Sequence, residues 1–162
     1  MLYFQCMLRY FLPILLCLIV LFCFVYYRTL KVQQKEIKDR PLSIEEQKRN
    51  KMWQLWAEDK AESPYAELMT YQAEVNNGGH DQYFFNVSNT GDLEEEMSAL
   101  MQILPETHRR NLEKAYEAFL TLENNEDDES AVEVLNNCDS VFWENEAAIN
   151  QVLEKYASTI EL

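Results

Sequence analysis

Apolar side chains recur along most of this chain at the spacing of one face of an α-helix. The clearest example is the run Leu93, Met97, Leu100, Met101 and Leu104. No stretch alternates apolar and polar residues with the period of two that a half-buried β-strand requires. The pattern therefore predicts an all-α protein, in which six or seven helices form one compact domain.

The N-terminal part differs from the rest because its apolar residues are continuous. Residues 11–27 contain no charged side chain. A transmembrane helix needs about 20 apolar residues, with roughly 17 as the lower end of the range. A secretory signal peptide is the alternative, but the residues before Arg28 lack the small side chains of a cleavage site. We therefore expect one uncleaved N-terminal transmembrane helix at about residues 8–27.

Basic residues crowd the C-terminal side of this predicted span, and only Arg9 precedes it. Because positively charged flanks remain in the cytoplasm, the bulk of the protein is expected to face the cytoplasm from a single-pass membrane anchor. The predicted organisation is a membrane anchor at residues 1–30, a basic linker at residues 31–42 and an acidic helical domain at residues 43–162. The basic residues after the span are Arg28, Lys31, Lys35, Lys38 and Arg40.

Helix starts can be predicted from capping residues. Ser43 followed three residues later by Glu46 is a capping-box pattern and predicts the start of the first helix. Ser63 before Pro64 predicts a second start, with Ser63 as N-cap and Pro64 as the first helical residue. The acidic run at residues 123–129 indicates a solvated loop or a frayed helix start, and the last helix is expected to begin near residues 139–140.

Two of the three glycines stand side by side in the stretch Asn76-Asn77-Gly78-Gly79. Asn and Gly tolerate a positive φ, so this stretch is expected to end one helix and begin the next. His80, Asp81 and Gln82 then offer side-chain acceptors for the free N–H groups of that next helix. The residues predicted to hold this corner together are Glu74, Asn76, Asn77, Gly78, Gly79, Asp81 and Gln82.

The corner is also the part of the chain that carries a family resemblance. Residues 74–79 read Glu-Val-Asn-Asn-Gly-Gly, and after His80 residues 81–86 read Asp-Gln-Tyr-Phe-Phe-Asn. This motif resembles the signature of the DNA-mimic-protein-like family, and the resemblance extends over roughly residues 42–162. It implies an all-helical domain that binds a basic DNA-binding protein or transcription regulator in competition with DNA.

Charge is distributed unevenly. The formal net charge is -14, but residues 1–40 hold six basic and two acidic residues, whereas residues 41–162 hold eight basic and 26 acidic ones. The second part therefore carries -18. Such a domain repels nucleic acid and attracts basic partners. Direct nucleic-acid binding is thus excluded, and a basic protein is the expected partner.

An enzyme is a further alternative. Glu74, His80 and Asp81 form the only group that suggests a catalytic base or metal ligands. A zinc or di-iron site in a helical protein needs several ligands in register, and neither a Glu-x-x-His motif nor a metal-like cysteine spacing occurs. Local hydrogen bonds that tie the helix ends together explain these residues better. We expect no catalytic residues, no metal and no cofactor.

Carboxylates provide the remaining candidate chemistry. No Lys or Arg occurs between Glu62 and His108, and Lys155 is alone after Glu117. Carboxylates on neighbouring helix positions approximate rows of phosphates, although an acidic surface that only aids solubility is the simpler alternative. A membrane-tethered scaffold that uses Trp53, Trp56 and Trp143 as contact surfaces is also possible. The candidate partner-binding residues are Glu94, Glu95, Glu96, Glu123, Glu126, Asp127, Asp128 and Glu129.

Overall fold

The computed structural model describes residues 22–29, residue 31 and residues 40–162. Residues 22–29 are helical. The predicted transmembrane helix at about residues 8–27 lies largely outside the described residues. Within the part that is described, no helix combines the length and apolar character needed to cross a bilayer.

All regular secondary structure in the described residues is helical, so the prediction of an all-α protein is confirmed for them. The helices of residues 40–162 are α1 (Ile44–Ala57), α2 (Tyr65–Thr90), α3 (Leu93–Ile103), α4 (Glu106–Asn124) and α5 (Glu129–Thr159). Helix α2 is sharply bent, so residues 40–162 contain six helical segments when its two halves are counted separately.

Helix α1 begins with the predicted capping box. The Glu46 N–H donates to the Ser43 hydroxyl at 3.2 Å, and the Ser43 N–H donates to the Glu46 carboxylate at 2.7 Å. Each bond satisfies a backbone donor that the first helical turn leaves free. Met52 is the buried residue of this helix.

The predicted cap of α2 is wrong. The helix begins at Tyr65, and no side chain caps its start. A backbone carbonyl accepts the free donors instead, because the N–H groups of Tyr65 and Ala66 both donate to the Glu62 carbonyl, at 2.9 and 3.0 Å. Ser63 remains exposed.

The predicted start of α5 is also wrong, by about ten residues. The Asp128 side chain accepts the Ala131 N–H at 3.0 Å and so starts the helix at Glu129. Residues 139–140 lie inside the helix. The additional turns are stable because they bury Ala131, Leu135 and Cys138 against the rest of the domain. The loop before α5 comprises only residues 125–128. The acidic residues at 123–129 indicated a longer loop, so the apolar positions that begin at Ala131 were not recognised as part of the helix.

Helix α5 is the central element of the unit Ser43–Leu162, in which it packs against α1, α2 and α4. It runs antiparallel to the first half of α2, since Tyr156 near its end stacks on Tyr65 with ring centroids 3.8 Å apart. The second half of α2 turns toward α4, where Phe84 contacts Tyr116 and Phe119. This arrangement places the bend of α2 directly against the middle of α5.

Candidate functional site

The bend of α2 occurs at Gly78 and Gly79, where the sequence predicts a corner. Gly78 has φ -160° and ψ 21°, and Gly79 has φ 81° and ψ -177°. Only the Gly79 conformation requires glycine, since a Cβ is penalised at that positive φ. Gly79 is also in close contact with α5, because a Cβ there would overlap the Asp139 carboxylate.

Asp139 on α5 caps the helical segment that follows the bend. Its Oδ1 accepts the backbone N–H of His80 at 2.8 Å and lies 2.6 Å from Nδ1 of the His80 ring. The predicted local acceptors, His80, Asp81 and Gln82, do not serve this N–H group. The acceptor comes from a residue 59 positions later in the chain. Asp139 was not among the residues predicted for the corner, because the sequence pattern indicates a helix start at this position.

The side chain of His80 is fully buried, and its second ring nitrogen is also bonded. Nε2 lies 2.8 Å from the Tyr71 hydroxyl. All three side chains are satisfied when Nδ1–H donates to Asp139 and the Tyr71 hydroxyl donates to Nε2. Burial, followed by the nearby Cys138 and Asp139, raises the pKa of Tyr71 above its usual value. Tyr71 therefore stays a neutral donor, and this row of hydrogen bonds joins both halves of α2 to α5.

The three candidate catalytic residues are not brought together. His80 points into the core toward Tyr71 and Asp139, whereas Asp81 is exposed on the surface. The Glu74 carboxylate instead accepts hydrogen bonds from Gln82 and Asn86, both at 2.8 Å. These bonds connect the last turn before the bend with the turns after it.

A second group of amide and carboxylate side chains holds the turn before the bend to α5. Oε1 of Glu146 accepts hydrogen bonds from Gln72 at 2.8 Å and from Asn76 at 2.6 Å. Gln72 also donates to the Asn150 side chain at 2.8 Å. Asn77, which the sequence grouped with these residues, is exposed. Asn76 therefore ties α2 to α5, while Asn77 faces solvent.

The acidic residues of α3 differ in their surroundings. Glu94 and Glu95 are exposed in the first turn, and the Asp92 side chain caps this helix by accepting the Glu95 N–H at 3.1 Å. Glu96 is half-buried, 3.5 Å from the Tyr83 hydroxyl. Burial, followed by the nearby Glu67 carboxylate, raises the pKa of Glu96 to about 7. Glu96 therefore loses part of its negative charge near neutral pH.

The other acidic candidates lie at the turn between α4 and α5. Asp128 is partly buried and caps α5, so it has a structural role. The remaining four carboxylates are exposed within seven consecutive residues, and we call them the acidic turn. They are Glu123, Glu126, Asp127 and Glu129.

The only other histidine, His108, is buried on α4. Its Nε2 lies 3.0 Å from the Asn145 carbonyl oxygen, and burial lowers the pKa of His108. The ring is therefore neutral and donates Nε2–H to this carbonyl. Across the described part of the chain, no three His, Cys, Asp or Glu side chains lie close enough together to hold a metal ion.

The comparison with protein families agrees with the resemblance of the motif around the bend. A family model described as DMP19-like protein matches residues 57–160, which include α2 to α5. No curated protein gave a significant match, and no solved structure did so either. The match extends over more than half of the sequence and contains the bend, the buried His80 and the acidic turn. The chain therefore belongs to the DMP19-like protein family.

Proposed function

We propose that the helical domain acts as a DNA mimic, which binds a basic DNA-binding protein or transcription regulator and competes with DNA for it. The observation that carries this proposal is the acidic turn, where four exposed carboxylates stand on a short, well-anchored connection between two long helices. Membership in the DMP19-like family supports it. The net charge of -18 over residues 41–162 supports it as well.

The carboxylates of the acidic turn are held on a folded backbone between α4 and α5. A flexible acidic tail must lose conformational entropy when it binds, whereas carboxylates fixed on a folded frame lose less. The cap from Asp128 fixes the start of α5 and therefore the backbone that carries the acidic turn. Glu94 and Glu95 present further charge at the start of α3, whereas the partly protonated Glu96 contributes less.

The experiment is capture of proteins from cell lysate by the detergent-solubilised full chain at low and high salt. We expect recovery of a DNA-binding protein at low salt and its release at high salt, because exposed charges are screened within about 10 Å at 0.1 M ionic strength. Duplex DNA added to the captured complex should displace the chain. Recovery of no nucleic-acid-binding protein would refute the proposal. Partners that are held equally well at high salt would support the membrane-tethered scaffold instead.

Neutralising the acidic turn should weaken capture by about tenfold, because each exposed charge pair contributes roughly 0.2–1 kcal/mol. The variant carries Glu123→Gln, Glu126→Gln, Asp127→Asn and Glu129→Gln and retains the Asp128 cap. The matched control removes the same number of exposed charges elsewhere, through Glu62→Gln, Glu113→Gln, Glu154→Gln and Glu161→Gln. Equal losses in the two variants would show that net charge alone acts, without a defined surface.

We also propose that residues 1–30 anchor the chain in a membrane and leave residues 43–162 in the cytoplasm, together with the bound partner. The proposal rests on the uncharged residues 11–27 and the basic residues that follow them. Protease added to intact cells should leave the domain uncut, and protease added after permeabilisation should digest it. Digestion in intact cells would reverse the proposed orientation, and recovery in the soluble fraction would refute the anchor.

A further inference from the structure

Trp143 lies on α5 between the two residues that hold the bend of α2. Asp139 precedes it by four positions and Glu146 follows it by three, and residues at these spacings share one face of a helix. Asp139 bonds to His80 just after the bend, and Glu146 bonds to Asn76 just before it. Trp143 therefore lies on α5 within about one helical turn of both contacts with the bend.

The surface of α5 at Trp143 is open to solvent, although the next residue toward the N-terminus packs into the core. Trp143 is 51% exposed, whereas Phe142 next to it is fully buried. Asn76, Asn77 and Gly78 are exposed on the facing part of α2. We use the name bend surface for the residues on either side of the bond between Asn76 and Glu146, which are the exposed Trp143, Asn76, Asn77 and Gly78 and the partly buried Glu146.

The charged side chains that α2 and α5 contribute near the bend are all negative. Neither α2 nor the part of α5 before Lys155 contains a Lys or Arg. Asp139 and Glu146 flank Trp143 at a distance of one helical turn, and exposed Glu144 adjoins it in sequence. The charge of Glu146 is held in place by the amides of Gln72 and Asn76. A cation from a partner therefore meets an aromatic face bordered by carboxylates.

These features fit arginine better than lysine. A guanidinium is planar, so it stacks on an indole face while its N–H groups donate to carboxylates at the edge of the ring. It is also more weakly hydrated than an ammonium group, which lowers the cost of moving it from water onto the ring. A lysine ammonium group meets the same negative charge without stacking.

We propose that the bend surface binds an arginine side chain of the basic partner protein, with the guanidinium stacked on Trp143 and hydrogen-bonded to the carboxylates beside it. The inference depends on the proposed function for the nature of the partner. It adds a contact that selects arginine, separate from the acidic turn, which attracts any cation.

The test compares a ten-residue arginine peptide with a ten-residue lysine peptide of equal charge, each binding to the detergent-solubilised full chain at low salt. The dissociation constants are measured for the wild-type chain and for Trp143→Leu. The preference for arginine is the ratio of the dissociation constant for the lysine peptide to that for the arginine peptide. We expect this ratio to fall by roughly fivefold in Trp143→Leu, as the loss of one cation–π contact implies. Trp143→Phe should retain part of the preference. Phe85→Leu, which changes another exposed aromatic side chain, is the matched control and should leave the preference unchanged.

A preference for arginine that is the same in Trp143→Leu and wild type would overturn the inference, and so would a wild-type chain that binds neither peptide. These outcomes are distinct from failure of the proposed function. If the lysate experiment recovers a DNA-binding protein while Trp143→Leu leaves the arginine preference intact, only the bend surface is wrong. If the preference depends on Trp143 but the lysate yields no DNA-binding protein, the bend surface stands as an arginine site and the DNA-mimic function fails.

Discussion

Replacing Gly79 with valine is expected to lower the free energy of unfolding by about 3–5 kcal/mol, since two separate penalties act on the same residue. A β-branched side chain is strained at the positive φ of Gly79, and its Cβ would overlap the Asp139 carboxylate. Asp139 would have to move away and leave the His80 N–H unbonded. For a domain of this size the midpoint of thermal unfolding, followed by circular dichroism, should fall by at least about 10 °C.

Two other glycines serve as controls for this prediction. Gly78 has a φ that any residue adopts, and the atoms nearest to a Cβ there belong to the flexible side chain of Gln82. Gly78→Ala should therefore cost less than Gly79→Val, and it should mainly disturb the bond between Gln82 and Glu74. At Gly91 an added Cβ would meet only the Val87 carbonyl oxygen at 3.7 Å, so Gly91→Ala should have little effect. If Gly79→Val melted like wild type but abolished partner capture, the bend would have a functional role instead of a structural one.

Replacing Asp139 with alanine is expected to cost about 3–5 kcal/mol as well, because it leaves two buried donors without an acceptor and each such donor costs about 1–3 kcal/mol. Both donors belong to His80, whose side chain has no exposed surface. In Asp139→Asn the amide oxygen can still accept both bonds, although it carries no negative charge, so the loss should be about half as large. Unfolding in urea measures these differences.

Glu144→Ala is the matched control, because it removes an exposed carboxylate from the same helix. It should change the free energy of unfolding by less than about 0.5 kcal/mol. Hydrogen exchange at the His80 amide adds a local measurement, and exchange should accelerate in Asp139→Ala. Equal stability of Asp139→Ala and Glu144→Ala would show that the contact between α5 and the bend contributes nothing to the fold.

The helical class, the start of α1 and the position of the bend could be predicted because each depends on residues that are close together in sequence. The capping box joins Ser43 to Glu46, three positions apart, and it forms as expected. The two adjacent glycines permit a backbone conformation that other residues avoid. The spacing of apolar residues determines which helix faces enter the core, so helices were recognisable even where their ends were not.

The tertiary structure decided the features that depend on contacts between distant residues. The sequence of the bend offers three local acceptors, yet Asp139 provides the one that is used, since packing α2 against α5 brings it there. The early start of α5 has a similar origin, because burial of Leu135 and Cys138 outweighs the acidic residues before them.

The charge of the domain could also be predicted only in part from the sequence. By itself the sequence determined that residues 41–162 carry a net charge of -18, since ionisable residues can be counted without a fold. It could not show that Asp128 caps a helix, that Glu96 has a pKa of about 7, or that the acidic turn remains exposed. A carboxyl pKa depends on the water and the charges within a few ångströms, and only the packing of α2 against α3 brings Tyr83 and Glu67 close to Glu96.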